Sequence, residues 1–133
     1  MPLIKNGEFV SDTWTQVNDD EKLPDQGAVI VDVARWKAEK VLLKARTTAV
    51  GVRLNADMAL DDICEDLSAI ELVVLAFPAF TDGRAYSAAR TLRDKYAFEG
   101  EIRAVGNVLR DQLAFMVRCG FDAFEVGASV TPT

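Results

Sequence analysis

The sequence predicts an α/β protein: a mostly parallel, five-stranded sheet flanked by helices, with an N-terminal β-hairpin. Three observations carry this. From Ala28 to Val126, short apolar runs alternate with segments of helical spacing, the pattern of right-handed βαβ units. Upstream, Asn6-Gly7 sits between two short alternating runs, and that dipeptide suits the positive φ angles of a two-residue hairpin turn. The run ELVVLAF (71–77) is almost continuously apolar, as in a strand buried on both faces.

Taken in order, LIKNGEFVSDTWTQV (3–17) reads as the hairpin, and NDDEKLPDQG (18–27), with too few apolar residues to bury, as a surface connector. AVIVDV (28–33) is the first strand of the body. ARWKAEKVLLKA (34–45) follows as a helix in which Trp36, Val41, Leu42 and Ala45 recur. TTAVGVRL (47–54) is the second strand. DMALDDICEDLSAI (57–70) is a helix with Leu60, Ile63, Cys64 and Leu67 on one face and Asp57 as its N-cap. After the third strand, ELVVLAF, Ser87 to Tyr96 is helical with Ala88, Leu92 and Tyr96 on one side. EIRAVG (101–106) is the fourth strand, LRDQLAFMVRC (109–119) a helix that Gly120 terminates, and FDAFEV (121–126) the fifth strand. Residues 127–133 form a tail. The 133 residues make one domain. Strand order has no local signature; a curved half-barrel that closes by dimerising is the alternative to an open sheet.

Composition narrows the function. A net charge of -6 argues against sequence-independent nucleic-acid binding, which needs a basic face. The absence of histidine excludes a Ser-His-Asp triad, a Cys-His pair and any histidine-ligated metal built from this chain alone. Two cysteines, Cys64 and Cys119, cannot supply an iron–sulfur cluster or a cysteine-rich zinc site, and each is expected as a small buried hydrophobe. No apolar run approaches a membrane span, and MPLIKNGEFV lacks a signal peptide's apolar core; a cytoplasmic protein with no membrane partner is expected.

The polar residues concentrate in two loops that follow strands. In FPAFTDGRAYSAARTLRDKY (77–96), Asp82, Gly83, Arg84 and Ser87 fall at the start of a helix, where unpaired N–H groups and an arginine fork suit an oxyanion or carboxylate. The same residues also serve a plain helix start, with Asp82 or Ser87 as cap and Gly83 as turn. In AVGNVLRDQ (104–112), Asn107, Arg110 and Asp111 have the same double reading. If the two preceding strands are neighbours, these seven residues share a cleft at the C-terminal edge of the sheet, where ligands usually bind. Arg90 and Arg93, three apart on one helix, read as a solvated face. Neither GxGxxG nor GxxxxGK[ST] occurs, so no cofactor is evident; a flavin or nucleotide held without a fingerprint stays open.

FPAFTDGRAYSAARTLR together with GEIRAVGNVLRDQLAFMVRCGFDAFEV resembles a family of short bacterial proteins, domain of unknown function 934. Members are often encoded beside assimilatory sulfite reductase and labelled as oxidoreductases of sulfite reduction. The resemblance implies an accessory of siroheme-dependent sulfite reductase or of its electron-donor subunit; the alternative is an oxidoreductase using a bound nucleotide or flavin. Ala85 stands where the family commonly has glycine, and Asn107 where it has aspartate. An amide cannot accept a proton as a base does, so Asn107 fits binding rather than general-base work. The small domain and its hairpin further suggest a homodimer.

Overall fold

A computed structural model describes residues 3–5, 8–11, 14–17, 22–23, 27–46, 48–54, 63–77, 84–106 and 113–125. Its elements are β1 (Leu3–Lys5), β2 (Glu8–Val10), β3 (Thr15–Gln16), β4 (Val29–Asp32), α1 (Val33–Lys44), β5 (Val50–Leu54), a 3-10 helix (Cys64–Ala69), β6 (Leu72–Phe77), α2 (Arg84–Asp94), β7 (Glu101–Gly106), α3 (Leu113–Cys119) and β8 (Ala123–Glu125). The α/β class holds. The sheet, however, is an eight-stranded mixed one among the described residues, ordered β2-β1-β8-β7-β6-β5-β4-β3. Strands β3 to β8 pair in parallel and in chain order, while β1 runs antiparallel to β8 and β2 antiparallel to β1. The hairpin is thus no appendage to a five-stranded sheet, because it continues the sheet past β8. Residues 15–16, expected within the hairpin, form the far edge beside β4. No helix among the described residues is long and apolar enough to cross a membrane.

Alternation decides which face each side chain takes. Val31, Val52, Val73 and Ile102 share a row of the sheet, and so do Leu54, Leu75, Ala104, Phe124 and Ile4. Against this face pack Trp36 and Leu43 of α1, Ala89 and Leu92 of α2, and Met116 and Cys119 of α3, all in one core cluster. The leucine and methionine side chains among them each contribute about 1.5–3 kcal/mol on full burial. Helices α1, α2 and α3 therefore lie on one side, as right-handed crossovers between sequential parallel strands require. In α1 the buried positions are Val33, Trp36 and Leu43, whereas Val41 and Leu42 are 83% and 65% exposed. Both lie beyond Glu39, where the backbone leaves helical geometry (φ -119, ψ 23), so the 3.6-residue spacing does not carry through from Trp36 and the expected grouping was wrong. The helix expected over 57–70 is a 3-10 helix where it is described, Cys64 to Ala69; residues 57–62, with Asp57 and Leu60, lie outside the described residues. Ile63 is fully buried and Leu67 packs on the core. Gly120 ends α3 at φ 112, as expected of a helix-stopping glycine. Cys119 is buried and free.

Connectivity also bends the sheet. Laid flat, eight strands put the edge strands β2 and β3 about 34 Å apart. Yet β2 ends at Val10 and β3 begins at Thr15, a stretch that reaches at most about 18 Å. The sheet must curl through more than half a circle, on a radius of at most about 9 Å. A helix with its side chains is about 10 Å across, so the helices lie outside the curl. The other face is concave. Ile30, Leu72, Val74, Ala76 and Val105 form a second buried cluster there, and Trp14, directly before β3, packs against it.

Candidate functional site

The two polar loops leave the sheet side by side. Strands β6 and β7 are parallel neighbours over six residue pairs, from Leu72 opposite Glu101 to Phe77 opposite Gly106. Segments 78–83 and 107–112 therefore start from adjacent strand ends on one edge, and they lead into α2 at Arg84 and α3 at Leu113. Gly106 takes φ 89 as the chain leaves β7, a left-handed conformation that glycine adopts without strain. Asp82, Gly83, Asn107, Arg110 and Asp111 lie outside the described residues, as does the side chain of Arg84, the first residue of α2. Ser87, in the first turn of α2, is exposed. The structure thus brings together the strand ends and helix starts that frame the expected cleft.

An aromatic contact joins those helix starts. Tyr86, in the first turn of α2, meets Phe115 of α3 edge to face, with ring centroids 4.9 Å apart, and lies 6.5 Å from the Phe121 ring. Burial raises the Tyr86 hydroxyl above its ordinary 10, with the charge of neighbouring Cys119 as a second cause. The phenol stays neutral at physiological pH and suits packing or hydrogen bonding rather than proton abstraction. Outward from this contact, Phe115 and Val117 are 50% and 58% exposed.

The concave face carries charges that sequence reading passed over. Asp32, Arg53, Val74, Arg103, Ala123 and Lys5 form one row across β4, β5, β6, β7, β8 and β1. Arg103 is only 2% exposed, and its Nη2 donates to Glu101 Oε2 at 3.2 Å. Lys5 Nζ donates to the other oxygen of Glu101 at 2.7 Å. Arg53 is half-buried and forms no hydrogen bond or ion pair among the described residues. Period-two alternation would have found this row: in VGVRL and EIRAV the arginines fall on the faces opposite Val52 and Ile102.

The family described as "Bacterial protein of unknown function (DUF934)" matches residues 51–133, more than half of the chain. The chain belongs to this family. The match runs from β5 to the last residue and takes in both polar loops. No curated protein and no solved structure matches the chain significantly.

Within the family match, the opposite edge of the sheet holds a second polar cluster. Arg90 is exposed, but Arg93 is not part of a solvated face. Its Nε and Nη2 donate to the Gly120 carbonyl at 3.1 and 2.9 Å, and its Nη1 to the carbonyls of Phe98 and Gly100 at 2.6 and 2.9 Å. Nη2 also pairs with Asp122 Oδ2, an oxygen that accepts the Ile102 backbone N–H at 2.9 Å. One guanidinium thus ties the end of α2 to the chain entering β7 and to the turn entering β8. Gly120 has no room for a side chain here, since a Cβ would stand 2.6 Å from Arg93 Cγ. Backbone carbonyls have no residue signature, so nothing in the local sequence marks Arg93 as their donor. A 490 Å³ depression beside it is lined by Lys5, Glu99, Glu101 and Val117, among others, and a 610 Å³ one next to that by Glu71, Tyr96 and Phe98.

Proposed function

We propose that the edge at the C-terminal ends of β6 and β7 is an anion-binding cleft, and that the protein serves sulfur assimilation as an accessory of siroheme-dependent sulfite reductase or its electron donor. The observation that supports the cleft is the pairing of β6 with β7 up to Phe77 and Gly106, which starts both polar loops from one place. In this reading Arg84 supplies a two-pronged donor, and Gly83 and Ser87 add backbone and hydroxyl donors at the start of α2. Asp82 steadies Arg84, and Asn107, Arg110 and Asp111 stand opposite. Small oxyanions such as sulfite, sulfate or phosphate match that donor set. The sulfur role draws its support from the family resemblance in 77–93 and 100–124.

Calorimetric titration of sulfite, sulfate and phosphate into wild type and Arg84→Ala tests the cleft. Wild type should bind at millimolar concentration or better, and Arg84→Ala about ten- to a hundredfold more weakly. A wild type that binds none of the three removes the cleft. Co-purification with sulfite reductase or its electron donor supports the accessory role, and its absence from both counts against it. A purified protein that releases a flavin or nucleotide on denaturation would favour an oxidoreductase instead.

A further inference from the structure

We infer that Arg53, on the concave face of the curled sheet, is an anion-contacting residue of this protein, with Arg103 as the fixed charge behind it. The inference rests on the anion-binding reading of the C-terminal strand edge and extends it to a strand that neither polar loop follows. Arg53 is the next-to-last residue of β5, and its register partners are Asp32, the last residue of β4, and Val74 of β6. It therefore stands on the inward face at the C-terminal end of β5, level with Val74 and Arg103 and three residues below the Phe77 and Gly106 ends of β6 and β7. In barrel-like sheets with helices outside, inward residues at the C-terminal strand ends are the ones that reach a ligand.

Charge and burial single it out. An arginine on an inward face beside the apolar Ile30, Leu72 and Val74 loses part of its hydration, and burial of a cation is unfavourable unless a partner answers it. Glu101 is already engaged by Lys5 and Arg103. No carboxylate of the described residues pairs with Arg53, not even Asp32 directly beside it. Two strands away in the same row, Arg103 is held in place by Glu101, which Lys5 also engages, so two cations share that one carboxylate. The guanidinium of Arg53 offers two parallel N–H donors to a small oxyanion.

The test is calorimetric titration of sulfate, sulfite and phosphate at constant ionic strength into wild type, Arg53→Gln, Arg53→Lys, Arg84→Ala and the exposed-surface control Arg90→Gln, each checked for folding by circular dichroism. Arg53→Gln should bind about ten- to a hundredfold more weakly, Arg53→Lys should fall between it and wild type, and Arg90→Gln should match wild type. Because Arg53→Lys keeps the charge, it carries the test if Arg53→Gln does not fold. If Arg84→Ala loses binding while both Arg53 variants keep it, Arg53 is not a contact and the loop cleft stands. If Arg53→Gln loses binding while Arg84→Ala keeps it, Arg53 is the contact and the loop half of the cleft falls. A wild type that binds none of the three anions overturns both.

Discussion

Asp66 joins the 3-10 helix to α1, and its replacement by asparagine gives a sharp test of that joint. Its carboxylate is buried, with Lys40 Nζ 2.7 Å from Oδ2 and Lys44 Nζ 2.7 Å from Oδ1. Hydrogen bonds from Lys40 and then Lys44 hold the carboxyl down from an ordinary 3.8 to about 2, against the opposing effect of burial. A lowering of that size corresponds to about 2.4 kcal/mol in full. The two lysine side chains are 37% and 43% exposed, so water and salt screening reduce it to about 1–2 kcal/mol. Because the folded state holds the proton less tightly than the unfolded one, this stability is complete above about pH 4 and is lost as pH falls through about 2. Urea unfolding at pH 7 should show Asp66→Asn less stable by about 1–2 kcal/mol. The gap should narrow between about pH 4 and 2, and also in about 1 M salt. Equal unfolding midpoints at pH 7, or a gap as wide at pH 2 as at pH 7, would refute the reasoning.

The Arg93 cluster and two glycines give further tests by the same urea assay. Arg93→Ala strands the carbonyls of Phe98, Gly100 and Gly120 together with Asp122, and should cost about 2–4 kcal/mol; Arg93→Lys should recover only part, because an ammonium cannot reproduce the fork. A loss under about 0.5 kcal/mol would show that water replaces the guanidinium at no cost. Gly120 and Gly27 both take positive φ, but a Cβ at Gly27 meets nothing within 4 Å. Gly27→Ala should therefore cost about 1 kcal/mol from backbone strain, and Gly120→Ala clearly more, because it also collides with Arg93. Equal costs would mean that Arg93 moves aside freely.

What the sequence reveals here follows from how local each signal is. Strands β4 to β8 are legible because runs such as ELVVLAF and EIRAVG record burial residue by residue, and β7 matches its run from Glu101 to Gly106. Partner choice leaves no such record. Nothing in LIK says that it will lie against AFE, and TQ is too short a strand to show a period. Val41 and Leu42 mislead for a related reason: apolar residues count towards a buried face only while the turn spacing is unbroken, and α1 breaks at Glu39 before it reaches them. Of the expected site, the neighbouring origin of the two loops stands, while Asp82, Gly83, Asn107, Arg110 and Asp111 lie beyond the described residues. Arg53 was legible in principle, since its place follows from simple alternation; only the curl gives that place a meaning.

The pairing of Leu3 with Glu125 has a consequence for the growing chain. On the ribosome, β1 and β2 emerge before the strand that receives them, which is made more than a hundred residues later. Until β8 appears, neither edge of the hairpin has a partner among the described strands, and an isolated two-strand ribbon is marginal in water. Contacts so distant along the chain form slowly, because the whole loop between them must close first. The nascent protein therefore carries an open strand edge through most of its synthesis, and its early apolar strands are the surfaces a chaperone would meet.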